Sequence, residues 1–260
     1  WRMDVAKELD FSFWKDFRDI AIKTKKDVVL ISEIFGDTSQ WLQGDRFDGT
    51  MNYSFRETMI DFFATKRIDN KEFANSLSNL YSMYSFEALS SCQNLLSSHD
   101  VRRFLNQCES NTDGMYGAVF LQATFPGIAG IYYGDEIGLG GGGDPFNREP
   151  FPWDSEDKWN KELMEFTTDL MNIKASEPIL KYGHFQMVNF DDDYVIFRRK
   201  LNDESLLCIV NRDKRKKDIE IETKAKNVEL IYGQCSTELD SGNLILKDVA
   251  DNFGLILKEI

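Results

Sequence analysis

Val28-Val29-Leu30-Ile31-Ser32-Glu33 is an apolar, strand-like run that ends on a carboxylate. The same design occurs twice more, as Trp1-Arg2-Met3-Asp4 and as Leu95-Leu96-Ser97-Ser98-His99-Asp100. Short apolar runs separated by helix-like stretches read as buried parallel strands alternating with helices, an α/β arrangement. In that architecture the ends of different strands converge on one rim of the sheet, where catalytic groups sit. Three acids delivered to one rim point to glycoside chemistry, which needs carboxyls of unequal pKa. Each acid alone also has a plainer reading: Asp4 as a helix cap, Glu33 as an ion-pair partner, Asp100 as a bond to its own loop.

Working outward, Leu9, Phe13, Phe17, Ile20 and Ala21 fall at helical spacing within residues 8–26. Residues 27–33 form the strand quoted above, 36–46 a polar loop containing Trp41, and 47–52 a short strand. Helical patterns cover 55–65 and 71–85. A strand at 94–97, a helix at 115–124 and a strand at 128–133 follow. Residues 134–153 are rich in Gly and Pro and read as a long loop, a feature often tied to function. Gly138, Gly140 and Gly143 fit a dinucleotide-binding pattern, but Asp144-Pro145, Pro150 and Pro152 forbid the helix that motif requires. A helix at 158–174 closes this part of the chain.

Beyond about residue 181 the pattern changes to short strands at 184–190, 194–200, 205–211, 217–222, 228–232, 243–246 and 254–258. Turn-formers such as Asp191-Asp192-Asp193 and Ser241-Gly242-Asn243 separate them, which reads as an all-β sandwich. The expected domains are therefore 1–180 and 181–260.

Composition narrows the function. The chain has 260 residues, 42% of them hydrophobic and 29% charged, as in a soluble globular protein. A net charge of −13 opposes nucleic acid and anionic membranes as partners and suits a neutral ligand such as a sugar. No apolar run is long enough to span a membrane. The four cysteines, Cys92, Cys108, Cys208 and Cys235, show no close pair of metal or redox type and read as free thiols. With only His99 and His184 available, no histidine-based metal site is expected. The expected location is cytoplasmic. The chain opens on Trp1 rather than Met, as expected of one whose native N-terminus lies upstream.

At this point a resemblance is plain. Trp1-Arg2-Met3-Asp4-Val5-Ala6, Ile31-Ser32-Glu33 and Ser98-His99-Asp100 are similar to three regions of the α-amylase family of glycoside hydrolases. Gly44-Asp45-Arg46-Phe47-Asp48 with Met51-Asn52-Tyr53, Pro126-Gly127 with Ile131-Tyr132-Tyr133-Gly134-Asp135-Glu136, and Gly142-Gly143-Asp144-Pro145-Phe146-Asn147-Arg148 also match. Within the family the chain most resembles the neopullulanase, cyclomaltodextrinase and maltogenic amylase subgroup.

The resemblance implies the C-terminal part of a (β/α)8 TIM barrel, about strands 4–8, followed by the β-sandwich domain. It implies a retaining α-glucan hydrolase cleaving α-1,4 bonds of maltooligosaccharides or related glucans, cyclodextrins and pullulan among them, with transglycosylation as a side reaction. Asp4 would be the nucleophile, Glu33 the general acid and base, and Asp100 the third acid, holding hydroxyls of the distorted sugar. His99 would donate to the same sugar, and Asp144 and Arg148 would contact it at the donor end, against a plainer reading as a loop salt bridge. Arg2, two residues before Asp4, shares its strand face and would favour the charged carboxylate, as nucleophile partner or simply as an ion pair. Trp41, Tyr53 and Trp153 are candidates for stacking on sugar, with packing as the plainer alternative. Asp135 and Glu136 occupy mainly structural positions. No cofactor is required; structural calcium occurs in the family without a position assignable here.

Two departures bear on acceptor subsites: Lys7 in Val5-Ala6-Lys7-Glu8, where Asn is usual, and Phe35-Gly36, where Trp-His is common. The family's first three strands and an early Asp-to-Asn-His motif have no counterpart here, so the chain alone is expected to be inactive and poorly soluble, with the full-length protein a homodimer. Two rivals stand beside the hydrolase: a non-catalytic amylase-like binding module, which would normally have lost an acid, and an α-glucan transferase or isomerase.

Overall fold

The computed structural model describes residues 1–213, 218–249 and 253–260. Five short parallel strands run in sequence order: β1 (Arg2–Met3), β2 (Ile31–Ser32), β3 (Gly49–Thr50), β4 (Gln93–Leu95) and β5 (Ile128–Gly130). Arg2 pairs with Ile31 and Ile31 with Gly49, while Gln93 pairs with Ile128. A single parallel bridge between Met51 and Gln93 joins β3 to β4.

Helices connect the strands. After β1 comes α1 (Phe11–Thr24), and after β3 come α2 (Tyr53–Met59), α3 (Asn70–Met83) and α4 (Phe86–Ser91). Between β4 and β5 lie α5 (Phe104–Gln107) and α6 (Thr112–Thr124), and after β5 lie α7 (Lys161–Ser176) and α8 (Pro178–Tyr182). Alternating β and α units on a parallel sheet, with β-rich parts after them, make this an α/β, TIM-barrel-like fold.

Local chemistry explains the boundaries. Asn52 accepts the Phe55 amide at the start of α2 and donates to Asn94 Oδ1 at 2.9 Å, tying a helix start to β4. The expected helix over 55–65 begins two residues earlier and ends in a π-helical turn, Ile60–Ala64. Asp69 and Glu72 form a reciprocal capping box before α3. α6 is buried nearly all round, consistent with its uniformly apolar sequence.

Antiparallel strands β6 (His184–Phe190), β7 (Val195–Leu201), β8 (Glu204–Val210), β9 (Ile219–Glu222), β10 (Val228–Tyr232), β11 (Ser236–Asp240), β12 (Asn243–Lys247) and β13 (Gly254–Glu259) follow. They form a five-stranded sheet, β10-β13-β8-β7-β6, and a three-stranded one, β11-β12-β9. Side-chain alternation sends the two faces of the larger sheet to different cores. Val195, Phe197, Leu206, Cys208, Val210 and Ile256 join the cluster that contains Phe120 and Phe125. Ile196, Leu207, Ile209, Leu255 and Leu257 meet Ile219, Ile221, Leu244 and Leu246 of the smaller sheet. Strand β11 was not expected: all five of its residues are exposed, so no apolar alternation marks it. Lys217, the first residue of the segment expected at 217–222, lies outside the described residues.

Candidate active site

Register places the first two acids side by side. Met3 pairs with Ser32 in the β1–β2 ladder, and the Glu33 amide donates to Met3 O at 2.9 Å. Asp4 and Glu33 are therefore each one residue past the same pair, on strands that neighbour at about 4.8 Å. Asp4 neither caps a helix nor hides: its side chain is 68% exposed, and the caps of the following helices are Val5 and Asp10. Glu33 is 6% exposed, and its Oε1 has no hydrogen-bond partner.

Arg2 joins the cluster. Its Nη1 donates to Asp4 Oδ1 at 3.0 Å, and its Nη2 pairs with Glu33 Oε2. The same Nη2 lies 3.4 Å from His99 Nε2, so the loop after β4 meets the end of β1. His99 Nε2 lies 3.2 Å from Asp100 Oδ2. Arg148 completes the ring: Nη2 is 3.6 Å from Asp100 Oδ1, and Nε is 3.1 Å from Asp144 Oδ1. The structure thus brings together Arg2, Asp4, Glu33, His99, Asp100, Asp144 and Arg148, all seven singled out in the sequence. The Asp144–Arg148 pair is the loop salt bridge of the plainer reading, and Arg148 extends it to Asp100.

The two neighbouring acids differ in environment. Burial raises the Glu33 pKa; the Arg2 guanidinium opposes this, while Asp4 and Asp100 push further upward. A buried Glu33 beside an exposed Asp4 gives the two carboxyls the different environments that acid and nucleophile roles call for. Glu33, His99 and Asp100 offer ligand atoms within 4.8 Å of one another. The Arg2 charge already occupies that space and opposes a cation there.

The stacking candidates separate. Trp41 packs edge-on against Phe11 at 4.5 Å and belongs with the hydrophobic core. Tyr53 is buried, shares a 3.1 Å hydrogen bond with Ser98 Oγ, and stacks on Phe35 at 3.8 Å. Phe35, two residues after Glu33, is the half-exposed ring of that pair, and the sequence reading noted it only as a departure from a pattern. Trp153 is 72% exposed and clusters with Phe151 and Trp159. Asp135 is buried and bonded to Ser97 Oγ at 2.9 Å and to Arg103 at 3.3 Å, so its place is beneath the site. Asn147, fully buried, donates to three carbonyls of the loop that carries His99 and Asp100. No feature of the sequence marks it out beyond its place before Arg148.

Comparison with known proteins gives a consistent picture. The family model for the alpha amylase catalytic domain matches residues 2–178. Neopullulanase 2 of Thermoactinomyces vulgaris is 37% identical over 221 residues, covering 84% of this chain and 38% of that protein. A cyclomaltodextrinase of Geobacillus thermopakistaniensis is 35% identical over 239 residues, covering 90% of this chain and 40% of its own length. Among solved structures, the native debranching enzyme of Nostoc punctiforme superposes with a TM-score of 0.89 at 29% identity, over 99% of this chain and 57% of that one. The chain spans about two fifths of the length of these curated relatives. Among the described residues, no helix is long and apolar enough to cross a membrane.

Proposed function

Because this chain belongs to the α-amylase family of glycoside hydrolases, we propose that its acid cluster is the reaction centre of a retaining α-glucan hydrolase acting on α-1,4 bonds of maltooligosaccharides or related glucans. Asp4 attacks the anomeric carbon while Glu33 protonates the departing glycosidic oxygen. Water, deprotonated by Glu33, then releases the sugar from Asp4. Asp100 and His99 hold ring hydroxyls of the distorted sugar, and Asp144 with Arg148 borders the donor end. The carboxyls suffice for the chemistry, with no cofactor.

One observation carries this reading. Asp4 and Glu33 sit at matched positions on adjacent strands, bridged by one guanidinium, and the buried Glu33 keeps one oxygen unpartnered. That closeness suits direct attack rather than the wider gap, about 6.5–9.5 Å, that an inverting enzyme leaves for water. The names of the two curated relatives make cyclodextrins and pullulan candidate substrates, and the half-exposed Phe35 gives the acid's neighbourhood an aromatic floor for an acceptor sugar. In the same reading, residues 1–180 correspond to about strands 4–8 of a (β/α)8 barrel and 181–260 to a β-sandwich domain. Four free cysteines, three of them buried, suit a reducing, cytoplasmic setting.

The test is Glu33→Gln in the whole protein, assayed on maltohexaose. Loss of the general acid should lower kcat by about 10²–10⁴-fold while the sugar still binds. Turnover at the wild-type rate would sink the assignment of Glu33 as acid, whereas a wild-type protein that binds maltohexaose without turnover would leave a binding module in its place.

A further inference from the structure

We propose that Asn147 is the positioning residue of this centre, its amide holding residues 98–101 so that His99 and Asp100 face Asp4 and Glu33; the inference rests on the hydrolase reading above. Asn147 Nδ2 lies 2.8 Å from His99 O, 3.0 Å from Val101 O and 3.3 Å from Ser98 O. Two amide hydrogens thus serve three convergent carbonyls. Arg148 Nε adds a second donor to His99 O at 2.9 Å. With these carbonyls drawn to one buried point, the backbone of the turn is pinned from below.

The side chains above have weaker holds of their own. Asp100 meets His99 at 3.2 Å and Arg148 at 3.6 Å, and all three side chains are substantially exposed. Contacts of that kind contribute about 0–1 kcal/mol and position little. The other firm attachment is at one end of the turn, where Ser98 Oγ accepts the Asp100 amide at 3.2 Å and shares a hydrogen bond with Tyr53. Asp100 is therefore placed through its backbone, and Asn147 holds that backbone.

The seat is built for a neutral donor. Asn147 Oδ1 is buried with no hydrogen-bond partner, so this amide is used only to donate. The opposite amide orientation would point an oxygen at three carbonyl oxygens. Asn147 is itself wedged: a Cβ on Gly141 would fall 2.9 Å from Asn147 Cα and 2.5 Å from Phe146 O.

The test compares Asn147→Ala, Asn147→Asp and Glu33→Gln in the whole protein on maltohexaose, with a melting curve for each. A misplacement of about 1 Å in a catalytic group costs about 10²-fold, so both Asn147 variants should lose about that factor in kcat, with a smaller change in KM. The Asp variant should regain part of its loss as pH falls, because a protonated carboxyl donates one hydrogen bond where a carboxylate repels. A folded Asn147→Ala protein with near wild-type kcat overturns the inference, as does an Asp variant whose deficit is the same at every pH. If neither variant folds, Asn147 belongs to the scaffold and the inference also fails. Unimpaired Glu33→Gln turnover would instead remove the assignment of the reaction centre to this cluster.

Discussion

Replacing Lys174 by methionine should change how the protein's stability depends on pH. Lys174, on α7, is 8% exposed, and its Nζ donates to Ala123 O at 3.0 Å and Phe125 O at 3.4 Å, where α6 ends. Among the described residues no carboxylate pairs with it. The buried Arg199, which donates to Thr124 O, adds a second positive charge. Burial, and then Arg199, lowers the Lys174 pKa from 10.5 to about 7. In the unfolded chain the ammonium keeps its proton up to about 10.4. Between these values folding expels a proton, so stability rises with pH; the contribution is full above the unfolded value and is lost as pH falls through about 7. Each pH unit in the window is worth about 1.4 kcal/mol, which gives about 2 kcal/mol between pH 7 and about 8.5. Higher pH is less useful, because burial pushes Cys92, Cys108 and Cys208 to about 12, and their thiols in the unfolded chain begin to ionise near about 8.5 and reverse the slope. Urea unfolding of the wild type and Lys174→Met across that range is the assay. The wild type should gain about 2 kcal/mol over the variant between the two ends. Parallel stability curves would show that Lys174 keeps its proton in the folded state and would refute the reasoning.

Two further outcomes follow from the charge distribution. Burial raises the Asp135 carboxyl from 3.8 to about 7, so its contribution to stability is complete below the unfolded pKa and is lost as pH rises through about 7; Asp135→Asn should abolish a fall of about 3 kcal/mol between pH 4.5 and 6.5, read by urea unfolding. In Arg2→Leu, the guanidinium that restrains the Glu33 pKa is gone, so the alkaline limb of the kcat/KM profile should move to higher pH; an unmoved limb would place the titrating acid elsewhere.

The three acids were legible because each ends an apolar run; the β1–β2 ladder turns that pattern into proximity for Asp4 and Glu33, and the loop after β4 brings Asp100 to them. Arg2 was legible from strand alternation alone. The parallel strands are shorter than their apolar runs suggested: of residues 27–33 only Ile31–Ser32 form a ladder, although Leu30 O still accepts the Asp48 amide at 2.9 Å. An apolar run records burial, and burial extends past the paired residues. Trp41 follows the packing alternative, since an aromatic in a polar loop carries no mark of whether it faces the cleft or, as here, the core. Asn147 lies within a matching run but drew no role from it, because its partners are backbone carbonyls nearly fifty residues away, and backbone has no sequence identity. β11 was missed because an exposed edge strand needs no apolar alternation.

Glu33 and Asp135 show why a raised pKa alone does not locate the chemistry. Both are buried carboxyls following parallel strands, and burial is the leading cause of the upward shift in each. Asp135 spends its shift internally: Oδ1 receives Ser97 Oγ and Arg103, and Arg103 also donates to Tyr133 O at 2.7 Å, locking the group under the loop. Glu33 keeps Oε1 unpartnered, while its Oε2 pairs with the Arg2 that also meets the exposed Asp4 and His99. A general acid must reach the atom it protonates as well as hold its proton at working pH. Of these two carboxyls, Glu33 is the one beside the exposed Asp4, and the proposed acid role falls to it. The same physical perturbation therefore belongs in different measurements: for Asp135 it shows as the slope of stability against pH, and for Glu33 as a limb of the rate profile. Exchange of those two signatures between the variants would invert the assignment of acid and scaffold.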